Sequence, residues 1–380
     1  MSLRVLITNF TLSGRSGSEL YVWDLATALL ARGHHPIVFS PVLGPLARDL
    51  RGATVSVVSS LADVSVAPDV IHGHHNLEIM RAVLHFPGVP AVRVCHGWSD
   101  ERVQQFPRIL RYVAVDDTVW DRMVGEWGVP AARIQVLLNF VDLARFRPRG
   151  PLPRTPARAL VFSNAAARHA PVVREGCADR GISVDAAGAS VDAVATEPER
   201  LLGRYDIVFA KARCALEAMA CGAAVVLCDE AGIGPLVTTA NVDELRRLNF
   251  GIRTLRHPLS RDAVVRELVK YDPLDAAEVS RSVRDCAGLD AAVDALLGIY
   301  EDVLDESRRS GPADPGLELR AAADYLAAAG AGLRTAGSVR SHAYGLLRRI
   351  YFGCERSSIL RAVLPRRSAA RRFGSKVWPR

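Results

Sequence analysis

Residues 205–229, YDIVFAKARCALEAMACGAAVVLCD, constrain the fold more than any other stretch. They read as strand, turn, helix, tight turn, strand. Residues 206–209 are a short apolar run suited to a parallel strand buried on both faces. From Cys214, the residues Ala215, Leu216, Glu217, Ala218, Met219 and Ala220 are nearly all strong helix formers. Gly222 supplies the left-handed residue that ends such a helix, and the next strand is predicted over 224–227. Glu217 is the exception in so apolar a helix, because an unpaired buried carboxylate is costly. Its expected place is the first turn, where the macrodipole and free N–H groups favour an anion. Two readings follow: a carboxylate that helps start the helix, or one that binds a ligand.

The 380 residues suffice for two domains, each with its own core. A hydrophobic content of 49% and a mean hydropathy of +0.11 suit a folded α/β protein and exclude a disordered one. No run approaches the apolar length of a membrane span, and MSLRVLITNF goes straight into a strand, so a cytoplasmic protein is expected. Seven scattered cysteines, never spaced as CxxC, read as small buried hydrophobes in a reducing compartment. The net charge of +7 is unevenly spread. Residues 331–380 carry twelve Arg and Lys against one acid, Glu355, while the other 330 residues hold 36 basic and 40 acidic side chains. Such a body is not composed to bind nucleic acid, and its tail is a separate element.

Along the chain, strands are predicted at 4–8, 54–58, 70–72, 91–95, 112–115 and 135–138, with helices over 18–32, 76–86 and 117–126. Alternation of this kind means a parallel sheet with helices on both faces. The loop 9–17, with Gly14 and Gly17 flanking Arg15 and Ser16, precedes a helix and so presents backbone N–H groups to an anion. A plain tight turn explains the glycines equally well. His72, His74 and His75 have a spacing that could ligate a metal, but a strand end with local hydrogen bonds is expected, and no metal. His96 follows a strand and precedes Gly97, at the carboxyl end where doubly wound sheets bind ligands.

Pro148, Pro151, Pro153 and Pro156 mark a linker. A second domain restarts with a strand at 159–162, a helix over 170–180 and a strand at 183–186. After the organising stretch come a helix over 242–248 and further helices from Ser260. From Ala313 an alanine-rich helix leads into the basic tail. There Leu346, Leu347, Ile350, Ile359 and Leu360 alternate with arginines, as in an amphipathic segment on an anionic membrane. An oligomer contact or packing on the body are the other readings.

LEAMACGAAVV resembles a segment of retaining glycosyltransferases of the GT-B fold, glycosyltransferase family 4. SGRSGSELYVWDLATALLARGHHPIVFS, DVIHGHHN and LLNFVDLARFRP are similar to further segments of that family, with Phe140 where a glycine is usual. The resemblance implies two doubly wound domains facing across a cleft: an acceptor-side domain at 1–150, a donor domain at 157–300, then the helical tail at 313–380. It implies transfer of a sugar from a UDP-, GDP- or dTDP-sugar to a saccharide or lipid-linked acceptor in bacterial surface glycan synthesis, with retained configuration and no metal or cofactor. It places the donor against Ser16 and Gly17, whose loop lies under the donor phosphates or touches the acceptor, and against Leu216 and Glu217, with Glu217 on the ribose, Arg168 at the pyrophosphate and His96 by the sugar. A same-fold epimerase and a non-catalytic sugar-nucleotide-binding partner of a transferase remain as other classes.

One departure bears on the chemistry. The family carries a second glutamate eight positions before Glu217, where this chain has Phe209. The turn instead reads Ala210, Lys211, Ala212, Arg213. Only three of the 48 basic residues are lysines, so Lys211 at a strand's carboxyl end suggests a compact point charge facing the cleft. Lys211 and Arg213 are therefore expected to act catalytically, meeting the charge on the leaving group or an acidic sugar.

Overall fold

The computed structural model describes residues 2–97 and 102–329, and the chain divides into two units, 1–315 and 316–380. In the first half of the larger unit the order is β1 (Arg4–Thr8), α1 (Gly17–Ala31), β2 (His35–Phe39), α2 (Pro45–Gly52), β3 (Ser56–Val58), β4 (Val70–His74), α3 (Asn76–His85), β5 (Ala91–Cys95), β6 (Ile109–Ala114), α4 (Asp117–Gly125) and β7 (Ile134–Val136). The second half runs β8 (Arg158–Phe162), α5 (Ala166–Ala178), β9 (Ser183–Ala187), α6 (Pro198–Leu202), β10 (Ile207–Ala210), α7 (Ala212–Ala220), β11 (Ala224–Asp229), β12 (Gly232–Leu236), α8 (Val242–Arg247), α9 (Arg261–Leu268), α10 (Pro273–Cys286) and α11 (Leu289–Ser310).

Each half forms one sheet. The first has the order β3-β2-β1-β4-β5-β6-β7 and is parallel throughout. The chain starts in its middle and reverses direction between β1 and β4, so the connections leaving those strands diverge and open a crevice. The second sheet, β12-β11-β10-β8-β9, reverses in the same way between β8 and β10. The expected architecture of two doubly wound α/β domains is the one observed.

The uninterrupted apolar strands follow from burial on both sides. On β10, Val208 and Ala210 join the core beneath α7 and α10, while Ile207 and Phe209 join the core beneath α5 and α9. Fully burying one such side chain contributes about 1.5–3 kcal/mol. On β4, Gly73 is required for a different reason: a Cβ there would lie 2.3 Å from the Ile79 side chain of α3. The helix packs directly on the strand backbone, and His72 and His74 project together from the opposite face.

Two features depart from the expectations. β12 is antiparallel to β11, and its sequence GIGPL lacks any strand signature; Gly234 is held there because a Cβ would meet the Thr254 carbonyl at 2.5 Å. α11, although it follows the second sheet, packs on the first. Arg111 pairs with its Glu306 at 2.6 Å, Arg32 with its Asp290 at 3.0 Å, and Tyr300 bonds to His72 of β4. The crossings are tied to each other, since Val141 N–H donates to Ala287 O and Leu289 N–H to Val141 O. Of the smaller unit, the described residues to 329 are helical. The basic amphipathic segment expected beyond them lies outside the described residues. Among those described, no helix is long and apolar enough to cross a membrane.

Candidate active site

The carboxyl ends of both sheets meet at the domain junction, and most of the residues singled out in the sequence lie there. The turn from β10 into α7 is strained: Ala212 has φ +50°, and its N–H donates to the carbonyl of Phe250, whose own φ is +52°. Left-handed non-glycine residues cost about 1–2 kcal/mol each, and such outliers cluster at functional sites. The turn sends Lys211 and Arg213 in different directions. Lys211 Nζ reaches Asp229 at the end of β11, 2.5 Å away, and keeps 38% of its side chain exposed. Arg213 is buried.

Arg213 forms the centre of an ionic bridge between the domains. Its Nε donates to Glu217 Oε1 at 2.7 Å, and its Nη2 pairs with Asp24 of α1. Arg145, in the linking segment, stands 3.8 Å from Asp24 and balances the second carboxylate. Burial raises the Glu217 pKa, with Arg213 opposing. Burial also works against the Arg213 charge, but the Asp24 and Glu217 carboxylates outweigh it and hold the guanidinium above its ordinary value.

This geometry corrects the reading of Glu217. The helix begins at Ala212 rather than Cys214, so Glu217 stands in its second turn, four residues after Arg213, and not in the first. Neither helix initiation nor the macrodipole explains it; the guanidinium does. Leu216 is corrected too. Its side chain is fully buried in the core with Val208, Leu227 and Val279, so it offers a ligand no side-chain surface.

The glycine loop is already filled. Glu19 of α1 accepts from the N–H groups of Gly14, at 2.7 Å, and Ser16, at 2.8 Å. Ser16 is the N-cap and Gly17 the first helical residue. An internal carboxylate thus sits where the sequence suggested an external anion. Arg168, on α5, pairs at 2.5 Å with Glu230 and is 71% exposed. Beneath it His169 is 1% exposed. Burial lowers its pKa, with Asp229 opposing.

On the first domain, His74 and His96 form a pair at the ends of β4 and β5, Nδ1 to Nε2, 2.5 Å apart. His72 Nδ1 meets the Tyr300 hydroxyl at 2.6 Å. Burial drives the His72 pKa down to about 3, with His96 and Arg93 adding to the effect, and His74 falls well below its usual range for the same main reason. Both imidazoles are therefore neutral. Among the described residues, no three His, Cys, Asp or Glu side chains are grouped as metal ligands. Tyr21 of α1 packs against this set, its ring centroid 5.0 Å from His96 and 4.9 Å from Phe140. Phe140 is buried. Its ring packs against Tyr21.

At one edge the domains leave a groove of about 590 Å³ beside Trp120. Ion pairs of Asp117 with Arg247, at 2.7 Å, and of Asp121 with Arg253 join its two sides. Sequence reasoning missed Asp24, Asp229, Tyr21 and Tyr300. Of these only Asp229 carried a signal, as the acid that ends a buried strand.

Residues 15–145 match the family model described as Glycosyltransferase Family 4. No curated protein matches the chain by sequence. Among solved structures, a glycosyltransferase from Rickettsia africae aligns with a TM-score of 0.61 at 14% identity, covering 80% of this chain and 99% of its own. Alr3699/HepE from Anabaena, in complex with UDP, aligns at 0.60 with 12% identity, over 80% of this chain and all of its own. WaaG, a glycosyltransferase involved in lipopolysaccharide biosynthesis, aligns at 0.51 with 13% identity, over 78% and 99%. The chain thus has the GT-B fold of these solved glycosyltransferases, and its residues 15–145 match the Glycosyltransferase Family 4 model.

Proposed function

We propose that this protein is a retaining, metal-independent glycosyltransferase that moves a sugar from a nucleoside diphosphate sugar to a saccharide or lipid-linked acceptor in bacterial surface glycan synthesis. The observation that carries this reading is the position of Lys211: a half-exposed ammonium at the direction change of the second sheet, beside a strained turn and within the segment that carries Glu217. The bond from the anomeric carbon to the diphosphate breaks, the acceptor oxygen bonds to that carbon on the same face, and the proton of the acceptor hydroxyl passes to the departing diphosphate oxygen. Lys211 Nζ meets the negative charge left on the diphosphate, the kind of preorganised electrostatic contact that accelerates such steps. Arg213, spent on two carboxylates, is assigned to the domain bridge instead. Glu217 lies beside it for the ribose, and His96 for the sugar. Crystals of Alr3699/HepE with UDP-glucose support a uridine nucleotide as the first donor to try. The basic tail is assigned to the inner face of a membrane, near a lipid-linked acceptor.

The test is donor turnover. A thermal-shift screen of UDP-, GDP- and dTDP-sugars identifies the donor, because ligands of the native state raise its stability by mass action. Nucleoside diphosphate should then be released only when an acceptor is present. Release without acceptor, with an epimerised sugar recovered, would establish the epimerase reading. Tight nucleotide binding with no turnover against an acceptor library would make the chain a non-catalytic partner.

A further inference from the structure

We propose that His74 is a positioning residue for His96. It donates its Nδ1–H to His96 Nε2 and so fixes His96 as a neutral imidazole with its proton on Nδ1, a hydrogen-bond donor to an oxygen of the sugar donor. The ligand rests on the function proposed above; the positioning rests on geometry alone.

His74 ends β4, at the direction change of the first sheet, and His96 directly follows the adjacent parallel strand β5. Their ring planes are 24° apart and their centroids 4.6 Å apart, with the facing nitrogens at 2.5 Å. Those values describe nearly coplanar rings meeting nitrogen to nitrogen, the geometry of an N–H aimed at a lone pair. The His74 backbone is fixed as well. Its N–H donates to Thr8 Oγ1 and its carbonyl accepts from the same hydroxyl, both at 3.2 Å, tying β4 to β1 across the crevice. Tyr21 stands edge-on to both rings, at 5.3 and 5.0 Å.

The direction of the bond follows from what lies at the other side of His74. The ring is wholly buried, and its Nε2 has no hydrogen-bond partner. A neutral imidazole carries one proton on one nitrogen. With the proton on Nε2, an N–H group would be buried without an acceptor. With it on Nδ1, what is left over is a bare lone pair, and orphaned N–H groups are the rarer and costlier case. The proton therefore lies on His74 Nδ1, between the rings. His96 Nε2 accepts it, and the single proton of neutral His96 belongs on Nδ1. In that form His96 donates a hydrogen bond and does not act as a base through Nε2.

The experiment is nitrogen-15 NMR of the histidine rings in the full-length protein without ligand, with steady-state kinetics beside it. His96 is expected to show its proton on Nδ1. His74→Leu should release His96 into a mixture of tautomers and lower kcat about 10–100-fold, the scale for removing a group that orients a functional histidine, with KM little changed. His74→Asn, whose amide N–H can replace the Nδ1–H, should restore the tautomer and most of kcat. A wild-type spectrum with the His96 proton on Nε2 would overturn the proposal, and that spectrum decides it even where His74→Leu does not fold. An unchanged tautomer in folded His74→Leu would overturn it too. Full turnover in His96→Ala would remove the sugar-donor half. Absence of turnover in the wild-type protein would instead count against the proposed function, with the tautomer still settled by the spectrum.

Discussion

Arg213 of the second domain and Asp24 of the first are joined by an ion pair between side chains that are 10% and 1% exposed. Removing one partner of a buried pair leaves the other charge desolvated, which costs far more than the pair itself contributes. Asp24→Asn should therefore destabilise the protein by about 3–5 kcal/mol. The expected outcome is a lower urea midpoint with an unchanged slope. A shift under about 1 kcal/mol, the scale of a solvent-exposed pair, would show that the bridge is open in solution.

Glu217 gives the donor-side prediction. Glu217→Gln should weaken nucleotide binding by about 1–3 kcal/mol, the worth of a charge-assisted hydrogen bond, as read by calorimetry. Unchanged affinity, together with lost stability, would confine Glu217 to partnering Arg213.

Lys211→Ala should cut turnover at least a hundredfold, about the effect of losing one electrostatic contact to the transition state. Lys211→Arg should recover only part, because a planar fork cannot sit between Asp229 and a phosphate as a point charge does. Near-normal rates in Lys211→Ala would return this turn to the solvent.

The buried histidines make stability depend on pH. The pKa of His72 is about 3 in the folded protein against 6.5 ordinarily, and that of His74 is lowered as well. The unfolded chain then binds protons that the native state refuses. Their contribution is fully present above pH 6.5 and is lost as pH falls towards the folded values, at up to about 1.4 kcal/mol per pH unit for each group. Urea midpoints measured between pH 7 and 5, above most carboxylate titrations, should fall accordingly. A flat profile over that interval would mean that the rings are hydrated.

The tail prediction rests on sequence. Removing residues 340–380 should abolish salt-sensitive sedimentation with anionic vesicles and leave nucleotide binding intact, since each basic side chain near such a surface adds about 1 kcal/mol. Equal sedimentation with and without the tail would reject a membrane role.

The architecture was legible because its strands are short apolar runs buried on both faces, separated by helix formers and glycine stops. β12 was not, because GIGPL is held by backbone fit against Thr254 and not by side chains. Of the candidate residues, His96 and Lys211 stand at the strand ends where the sequence put them. The helix start at Ala212 was hidden by a left-handed alanine that no local pattern announces, and that single shift misplaced Glu217 by a turn. Read from Ala212, Arg213 and Glu217 have the spacing of an i,i+4 pair. Asp24 could not be found, since its partner lies 189 residues away.

The return of α11 to the first sheet has a consequence for the order of assembly during synthesis. All seven strands of that sheet leave the ribosome long before Tyr300, whose hydroxyl meets His72. At about 5–20 residues per second, the first domain waits on the order of ten seconds or more with that face uncovered, while the whole second domain is made and folded. The second domain is, in this sense, an insertion. A nascent chain halted before α11 should hold a finished second domain beside an unfinished neighbour.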